Sequence, residues 1–472
     1  MPKYNTSRYL NVIELDNTAL LFNGVNGCLD EVSSKLGEAL KSQEPSALDF
    51  LSQSDSDFLA KRGHITTLSK ETERERFREF AAAIHKKRIQ GVSHGSLMLL
   101  MSYNCNLACK YCYQHPHRPH KSAAVMTPAL VEAIFEKHFS KLLPGIEPKN
   151  IDLSFYGGEP FLPANEPVIR KALGYAKSYG AHAFSITNAT MVAPMIDIFG
   201  PCPGKVKRVQ VSLDGNRKQH DASRIPASGE PTFDKILDNI ELLLKQETEV
   251  SIRLNLDKSK LKAIPELLAE LKSRKIIGNK YASIYASPLH DNIAKVDATD
   301  FMDVGELSSQ VFKLGIDMEH PVSLRANDMS YLLKLEKGLG LMNTSFCMQT
   351  LQNCLVIDAF GDIYACYEEA GFPEFRVGHL SEDGVEFFPL RDIYKSRHVA
   401  NMPECLDCSV ALTCGGQCGV RCRAVTGDLF KPHCADIKKV ILEGLKLAYR
   451  KKQQNPEEFA AKVNAPAAST HG

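Results

Sequence analysis

What the sequence lacks narrows its function first. No uninterrupted apolar run reaches the roughly 18–20 residues of a membrane-spanning helix. The opening Met1-Pro2-Lys3-Tyr4-Asn5-Thr6 has no apolar stretch of the kind a signal peptide carries. A cytoplasmic protein without a membrane partner is expected. An excess of one charge is also missing: 57 Lys and Arg stand against 56 Asp and Glu, a formal net charge of +1. That balance argues against a broad basic surface, and hence against nucleic acid as a partner. Neither a GxxxxGK[ST] run nor a GxGxxG run opens a helix, so those nucleotide-binding loops are absent.

What is present suits a large globular chain. Its 472 residues suggest about three domains, and 44% hydrophobic content is enough for a sizeable core. Fourteen cysteines are unexpected in a reducing compartment, where disulfides are rare. They cluster: Cys105, Cys109 and Cys112 form one group, and nine more fall between Cys347 and Cys434. Clustering of that kind points to metal rather than to disulfide staples. Cys28 and Cys202 stand apart and read as inert thiols.

The middle of the chain alternates strand and helix signals. Apolar, partly β-branched runs lie at 96–103, 151–156, 183–187, 208–213, 250–256 and 281–286. Behind Thr127-Pro128 the residues Leu130, Val131, Ile134, Phe135, Phe139, Leu142 and Leu143 keep helical spacing. Further helical faces follow the fourth run (Phe233, Ile236, Leu237, Ile240) and the fifth (Ile264, Leu267, Leu268, Leu271). Such alternation predicts an α/β fold, with parallel strands and right-handed crossovers. Periodicity alone leaves open a doubly wound sheet and a partial barrel.

In either architecture chemistry belongs at the C-terminal ends of the strands, and the unusual residues fall there. The first strand runs into the three-cysteine segment, the second into Gly157-Gly158-Glu159-Pro160, the third into Asn188 and the fourth through Ser212 to Asp214-Gly215. The fifth carries Arg253 and Asn255. Three thiolates on one loop do not complete a zinc tetrahedron, but they can hold a [4Fe–4S] cluster by three corners. A zinc site finished by His115 or His117 is the competing reading of that loop.

Cys-x3-Cys-x2-Cys with Tyr111 before the last cysteine, followed by Gly-Gly-Glu-Pro, resembles the radical S-adenosylmethionine (SAM) superfamily. The resemblance implies a partial (β/α)6 barrel. It also implies a [4Fe–4S] cluster at which SAM is reductively cleaved to a 5′-deoxyadenosyl radical, chemistry that the cofactor carries and the protein orients. By resemblance, Tyr111 contacts the adenine, and Gly157, Gly158 and Glu159 meet the methionine amino group. Asn188, Ser212 and Arg224 lie around the ribose and carboxylate. The stretch from Ser212 through His220-Asp221 and Arg224 to Thr232-Phe233 is similar to the segment shared by peptide- and protein-modifying members. A reductase with flavodoxin, or a ferredoxin, is the implied electron donor.

The C-terminal cysteines resemble the SPASM domain of that superfamily, which holds auxiliary [4Fe–4S] clusters. By that pattern Cys347, Cys354, Cys366 and Cys418 ligate one, and Cys405, Cys408, Cys414 and Cys434 another. Cys422 is left over, as a free thiol or in place of an assigned ligand such as Cys418. Zinc ribbons, using the same thiolates at similar spacings, are the bland alternative. The resulting division is 1–95, a small N-terminal α+β module; 96–320, the barrel; 321–440, the SPASM domain; and 441–472, a final helix and tail.

Within 1–95, strands at 9–14 and 19–22 flank an Asp16-Asn17 turn. A helical face at Leu29, Val32, Leu36 and Leu40 follows, then a second helix near 48–59 and a charged helix beginning near Lys70. A winged-helix-like module gripping a leader peptide fits this pattern by analogy. Function then divides between a maturase that crosslinks a ribosomally made precursor peptide, through a thioether or C–C bond, and a sulfatase-type maturase that makes formylglycine. The latter enzymes place an Asp base directly after the cysteine equivalent to Cys366. Here Tyr367 follows, then Glu368 and Glu369, and a phenol of ordinary pKa near 10 is a poor base. These three are the catalytic candidates. A zinc-stabilised, non-catalytic binding protein is the reading from another class.

Overall fold

The computed structural model describes residues 4–114, 124–226, 229–289, 302, 306–307, 310, 322–324, 343–351, 353–434, 437–454 and 456–457. His115, His117 and the tail from 458 lie outside these residues. The chain gathers into two compact units. One is Met1–Arg88, Arg325–Cys347 and Arg397–Gly472; the other is Ile89–Leu324 and Met348–Ser396.

In the first unit, β1 (Asn5–Thr6) pairs with β5 (Ile65–Thr66), while β2 (Leu10–Glu14), β3 (Thr18–Asn23) and β4 (Leu29–Ser33) form an antiparallel sheet in that order. The Asp16-Asn17 turn is as expected, with Leu15 N donating to Thr18 O at 2.9 Å. The helix expected from Leu29 is not: residues 29–33 pair with β3, and the helix is Ser34–Ser42. The local signal is Ser33, whose Oγ accepts from Leu36 N at 3.4 Å and caps the first turn. The second helix likewise starts late, as Gln53–Lys61 behind Ser52, after a single 3-10 turn at Pro45–Leu48. The charged helix is Lys70–Gln90. Tyr9 and Phe77 stack at 4.7 Å in a core with Met402, Leu406 and Leu412. Ile13, Leu20 and Phe22 pack with Val410, Ile441 and Leu445, the last two on the final helix Ile437–Gln454.

The second unit is an α/β assembly on one sheet. β6 (Gly95–Leu100), β7 (Ile151–Tyr156), β8 (Ala183–Thr187), β9 (Val206–Leu213), β10 (Glu249–Leu256), β11 (Ala282–Pro288) and β12 (Val322–Leu324) lie side by side and parallel. The six sequence-predicted runs are β6 to β11. On the other flank β13 (Cys354–Asp358) adds parallel to β6, followed by antiparallel β14 (Asp362–Tyr364), β15 (Arg376–Leu380) and β16 (Val385–Phe387). Among the described residues no ladder closes β12 onto β16, which is consistent with a partial barrel.

Helices Glu166–Ser178, Phe233–Lys245 and Ile264–Ser273 follow β7, β9 and β10. Phe233, Ile236, Leu237, Ile240 and Leu243 are all buried on one face, as their spacing predicts. Thr127 caps the helix at Pro128, its Oγ1 accepting from Leu130 N at 3.1 Å. That helix is interrupted. Pro128–Glu132 passes into a π turn at Ala133–Lys137, and His138 leaves helical geometry, its ring meeting Glu382 O at 3.1 Å before Phe139–Leu142. No described helix is long and apolar enough to cross a membrane.

Candidate active site

The three-cysteine loop leaves β6 at its C-terminal end, and the turn after β7 lies directly beneath it. Gly158 N donates to Ser102 O, and Glu159 N to Asn104 O, each at 2.9 Å. Gly157 has φ +149°, and a Cβ there would stand 2.5 Å from Ser102 O. At Gly158 a Cβ would stand 2.0 Å from Asn104 O. The two glycines therefore let one backbone lie on another, which no side chain would permit.

Glu159 is fully buried with both oxygens engaged. Oε1 accepts from Thr187 Oγ1 at 2.6 Å and Phe161 N at 3.1 Å, and Oε2 from Asn188 N at 2.7 Å. Burial raises its pKa above the usual carboxylate range, against those donors. Its visible work is to tie the β7 turn to the end of β8. Asn188, held there, turns its amide toward Cys105 Sγ at 3.8 Å and Asn106 Oδ1 at 2.9 Å. Cys105 Sγ also accepts from Leu107 N at 3.4 Å, and two donors on one sulfur suit a thiolate. Cys109 is buried, and its carbonyl accepts from Cys112 N at 3.1 Å.

Tyr111 reaches across to the strands that follow. Arg224 Nη1 donates to its hydroxyl at 2.8 Å, Asn255 Nδ2 lies 3.5 Å away, and Lys260 Nζ stands 5.6 Å from the ring centroid. Burial pushes this phenol well above its usual range, while the Arg224 guanidinium acts in the opposite sense. Arg224, itself buried, lies 4.0 Å from Asp214 Oδ1. Ser212 on β9 is half-buried and sits opposite Arg253 on β10, whose Nη2 donates to Ser287 Oγ at 3.0 Å.

Arg224 Nε, Asp214 Oδ2 and Arg253 Nε are buried polar atoms without a protein partner. Burying such atoms unpaired is costly. Three thiols on one loop, with unpaired guanidinium nitrogens and one unpaired carboxylate oxygen at neighbouring strand ends, fit a cluster and a small zwitterionic cofactor. Asp214, Asn255 and Lys260 were not singled out as ligand contacts from sequence. The available signal was that Asp214 and Asn255 fall at strand ends.

A second cluster surrounds the catalytic candidate Tyr367 and adds Tyr113 and Tyr156, which the sequence does not single out. Tyr113 and Tyr156 share a hydrogen bond at 2.6 Å, Tyr156 packs edge-on to Tyr367 at 5.2 Å between centroids, and Tyr113 Oη meets Tyr367 O at 3.4 Å. Desolvation pushes the Tyr113 and Tyr367 phenols well above their usual range, with the Glu368 carboxylate adding to the effect. Burial raises the Tyr156 phenol as well, and Cys112 and Glu368 add to the effect. Glu369 points elsewhere. It is fully buried, with both oxygens 2.7 Å from Tyr394 Oη and Oε2 3.1 Å from Gln349 Nε2. It braces the fold, so Glu368 is the carboxylate at the tyrosine cluster.

The auxiliary cysteines divide between the units. Cys354 opens β13 beside Ser96, and Cys366 follows β14 in a register that, continued two residues, sets it opposite Cys354. Cys347 and Cys418 belong to the other unit, as do Cys405, Cys408, Cys414 and Cys434. The last four are mutual neighbours: burial raises the Cys405 thiol, and Cys414, Cys408 and Cys434 raise it further. Among the described residues no three His, Cys, Asp or Glu side chains are grouped as around a single metal ion.

Residues 99–271 match the radical SAM superfamily model, so the chain carries a radical SAM domain over that stretch. The zinc-stabilised binding protein gives way to that result. Its relatives are enzymes. A cysteine-type anaerobic sulfatase-maturating enzyme of Clostridium novyi is 26% identical over 298 residues, 60% of this chain and 75% of that one. The radical SAM cyclopropyl synthase TigE of Paramaledivibacter caminithermalis is 21% identical over 446 residues, 87% of this chain and 89% of that one. Among solved structures, native anSMEcpe with bound AdoMet superposes with a TM-score of 0.55 at 17% identity, covering 79% of this chain and all of that one. Streptococcus suis SuiB bound to precursor peptide SuiA gives 0.53 at 14% identity, covering 91% and 98%. At these identities the superpositions establish the fold.

Proposed function

We propose that this enzyme modifies a ribosomally made precursor peptide by forming a thioether or carbon–carbon crosslink. The observation that carries the reading is Tyr367, at the position where sulfatase-type maturases resemble one another in an Asp base. Its phenol is packed against Tyr156 and its pKa is raised well above 10, so it keeps its proton at neutral pH. The extent of the TigE match, 87% of this chain against 60% for the sulfatase maturase, supports the same reading.

The cofactors, when bound, supply one-electron cleavage chemistry at the three-cysteine loop. The chain's part is to hold and orient. We assign Cys105, Cys109 and Cys112 to the SAM-binding cluster, Tyr111 to the adenine, the Gly157–Gly158–Glu159 turn to the methionine amino group, and Asn188, Ser212 and Arg224 to the ribose and carboxylate. Cys347, Cys354, Cys366 and Cys418 are assigned to one auxiliary cluster, and Cys405, Cys408, Cys414 and Cys434 to the other. Residues 1–95 are assigned to gripping a leader peptide, with flavodoxin or ferredoxin as donor in the cytoplasm. The second reading is formylglycine formation, favoured by the C. novyi relative and by the Glu368 carboxylate standing among the tyrosines.

Coexpression with a short cysteine-bearing peptide encoded beside the gene, under low oxygen, separates the readings. Loss of two hydrogens per modified site, with fragments showing joined residues, is expected. An unchanged peptide, with iron and sulfide confirmed in the enzyme, refutes the crosslinking assignment.

A further inference from the structure

Arg397 is the largest fully buried side chain of the described residues, 1% exposed. Its Nε donates to Leu429 O at 2.6 Å; its Nη2 donates to Gly416 O at 2.8 Å and to Cys422 Sγ at 3.4 Å. Among the described residues its partners are two carbonyls and a sulfur, and no carboxylate pairs with it. A buried guanidinium without an opposite charge is expensive, so the charge it answers has to be found nearby.

Cys422 marks the direction. Fully buried, its sulfur accepts from Arg397 and from His433 N at 3.3 Å, the residue before Cys434. Gly416, whose carbonyl accepts from Arg397, lies two residues after Cys414, and a Cβ there would stand 3.8 Å from Cys405 Sγ. Four thiolates around a [4Fe–4S] cluster carry net negative charge, which grows by one unit on reduction.

We propose that Arg397 is the buried counter-charge of the auxiliary site built on Cys405, Cys408, Cys414 and Cys434, and that Cys422 transmits its field as a hydrogen-bonded sulfur rather than as an iron ligand. The inference rests on the assignment of that site made above. A fixed cation in a low-dielectric interior favours the more negative state, so it raises the reduction potential of the group it faces. Arg397 is thus a positioning and tuning residue.

The test uses the full chain with Cys105, Cys109 and Cys112 replaced by Ala, so that only auxiliary clusters contribute, and reads iron, sulfide and EPR-monitored redox titrations. About eight irons per chain are expected for two clusters; zinc in their place overturns the auxiliary assignment and this proposal with it. With the iron present, Arg397→Gln moves one of the two potentials to a more negative value and leaves the other as an internal control. Arg397→Lys restores it, which a purely steric role would not. Cys422→Ala keeps all the iron and shifts the same potential in the same direction by less. Unmoved potentials in a fully loaded Arg397→Gln chain overturn the proposal, as does loss of a cluster in Cys422→Ala. Where Arg397→Gln does not fold, an unmoved potential in Cys422→Ala is equally decisive.

Discussion

Replacing Gly158 by alanine tests how the three-cysteine loop is held in place. The new Cβ would stand 2.0 Å from Asn104 O, where real contacts are not found under 3.0 Å, so this carbonyl has to withdraw by 1.0 Å, the difference. It cannot do so alone, because Asn104 O also accepts from Glu159 N at 2.9 Å and adjoins Cys105. Overpacking of this kind costs about 1–3 kcal/mol, and the hydrogen bond it stretches is worth about 1 kcal/mol more. A total of about 2–4 kcal/mol corresponds to an unfolding midpoint lowered by roughly 3–7 °C for a unit of this size. The control is Gly174, on the exposed face of helix Glu166–Ser178, where a Cβ meets nothing within 4 Å. Gly174→Ala should stabilise by about 0.5–1 kcal/mol through helix propensity. Calorimetry of both variants, with iron and sulfide counted after anaerobic loading, compares them directly. Gly158→Ala should lose midpoint and the iron of the three-cysteine site together. Full iron and a wild-type midpoint would refute the claim that backbone contact between the two turns positions the cysteines.

Other expectations follow from single groups. His220 is fully buried with its pKa pushed down to about 4, by burial first and then by the Arg224 guanidinium. Because the folded value lies below the unfolded 6.5, its contribution is intact above pH 6.5 and is lost as pH falls toward 4, by about 3 kcal/mol. His220→Gln should flatten that part of the acid-unfolding curve; an unchanged slope between pH 6.5 and 4 would exclude His220 as its source. Glu369→Gln should lower stability by about 1.5–3 kcal/mol through its bonds to Tyr394 and Gln349, while the surviving enzyme still cleaves SAM; wild-type denaturant stability would contradict the bracing role. Tyr367→Phe should leave 5′-deoxyadenosine formation intact, since only a protonated phenol is lost. Loss of cleavage with the clusters loaded would show that Tyr367 does more than pack.

The strands β6 to β11 and the helices behind them were legible because each is specified by its own residues. A run of alternating or continuous apolar side chains, a Thr or Pro at a helix start, and a turn residue at its end all act within a few positions. The three-cysteine motif was legible for the same reason: its spacing is fixed within eight consecutive residues. Where two local signals competed, the reading failed. Leu29 and Val32 keep helical spacing with Leu36 and Leu40, yet their backbone groups are taken by β3, and Ser33 starts the helix four residues late.

Residues distant in sequence depended on packing. Tyr103 of the loop donates to Asp358 at 2.8 Å because β13 docks beside β6, a pairing across more than 250 residues that no periodicity encodes. The Tyr113–Tyr156–Tyr367 cluster, the separation of Glu368 from Glu369, and the burial of Arg397 against Cys422 have the same origin. The sequence by itself determined strands β6 to β11, the helices behind them and the placing of the three-cysteine segment after β6, because those depend on local backbone and side-chain preferences. Only the tertiary structure decided that Glu369 is buried against Tyr394 and Gln349, that Tyr113, Tyr156 and Tyr367 meet, and that Arg397 is buried against Cys422. Those properties come from desolvation and from neighbours brought together through space.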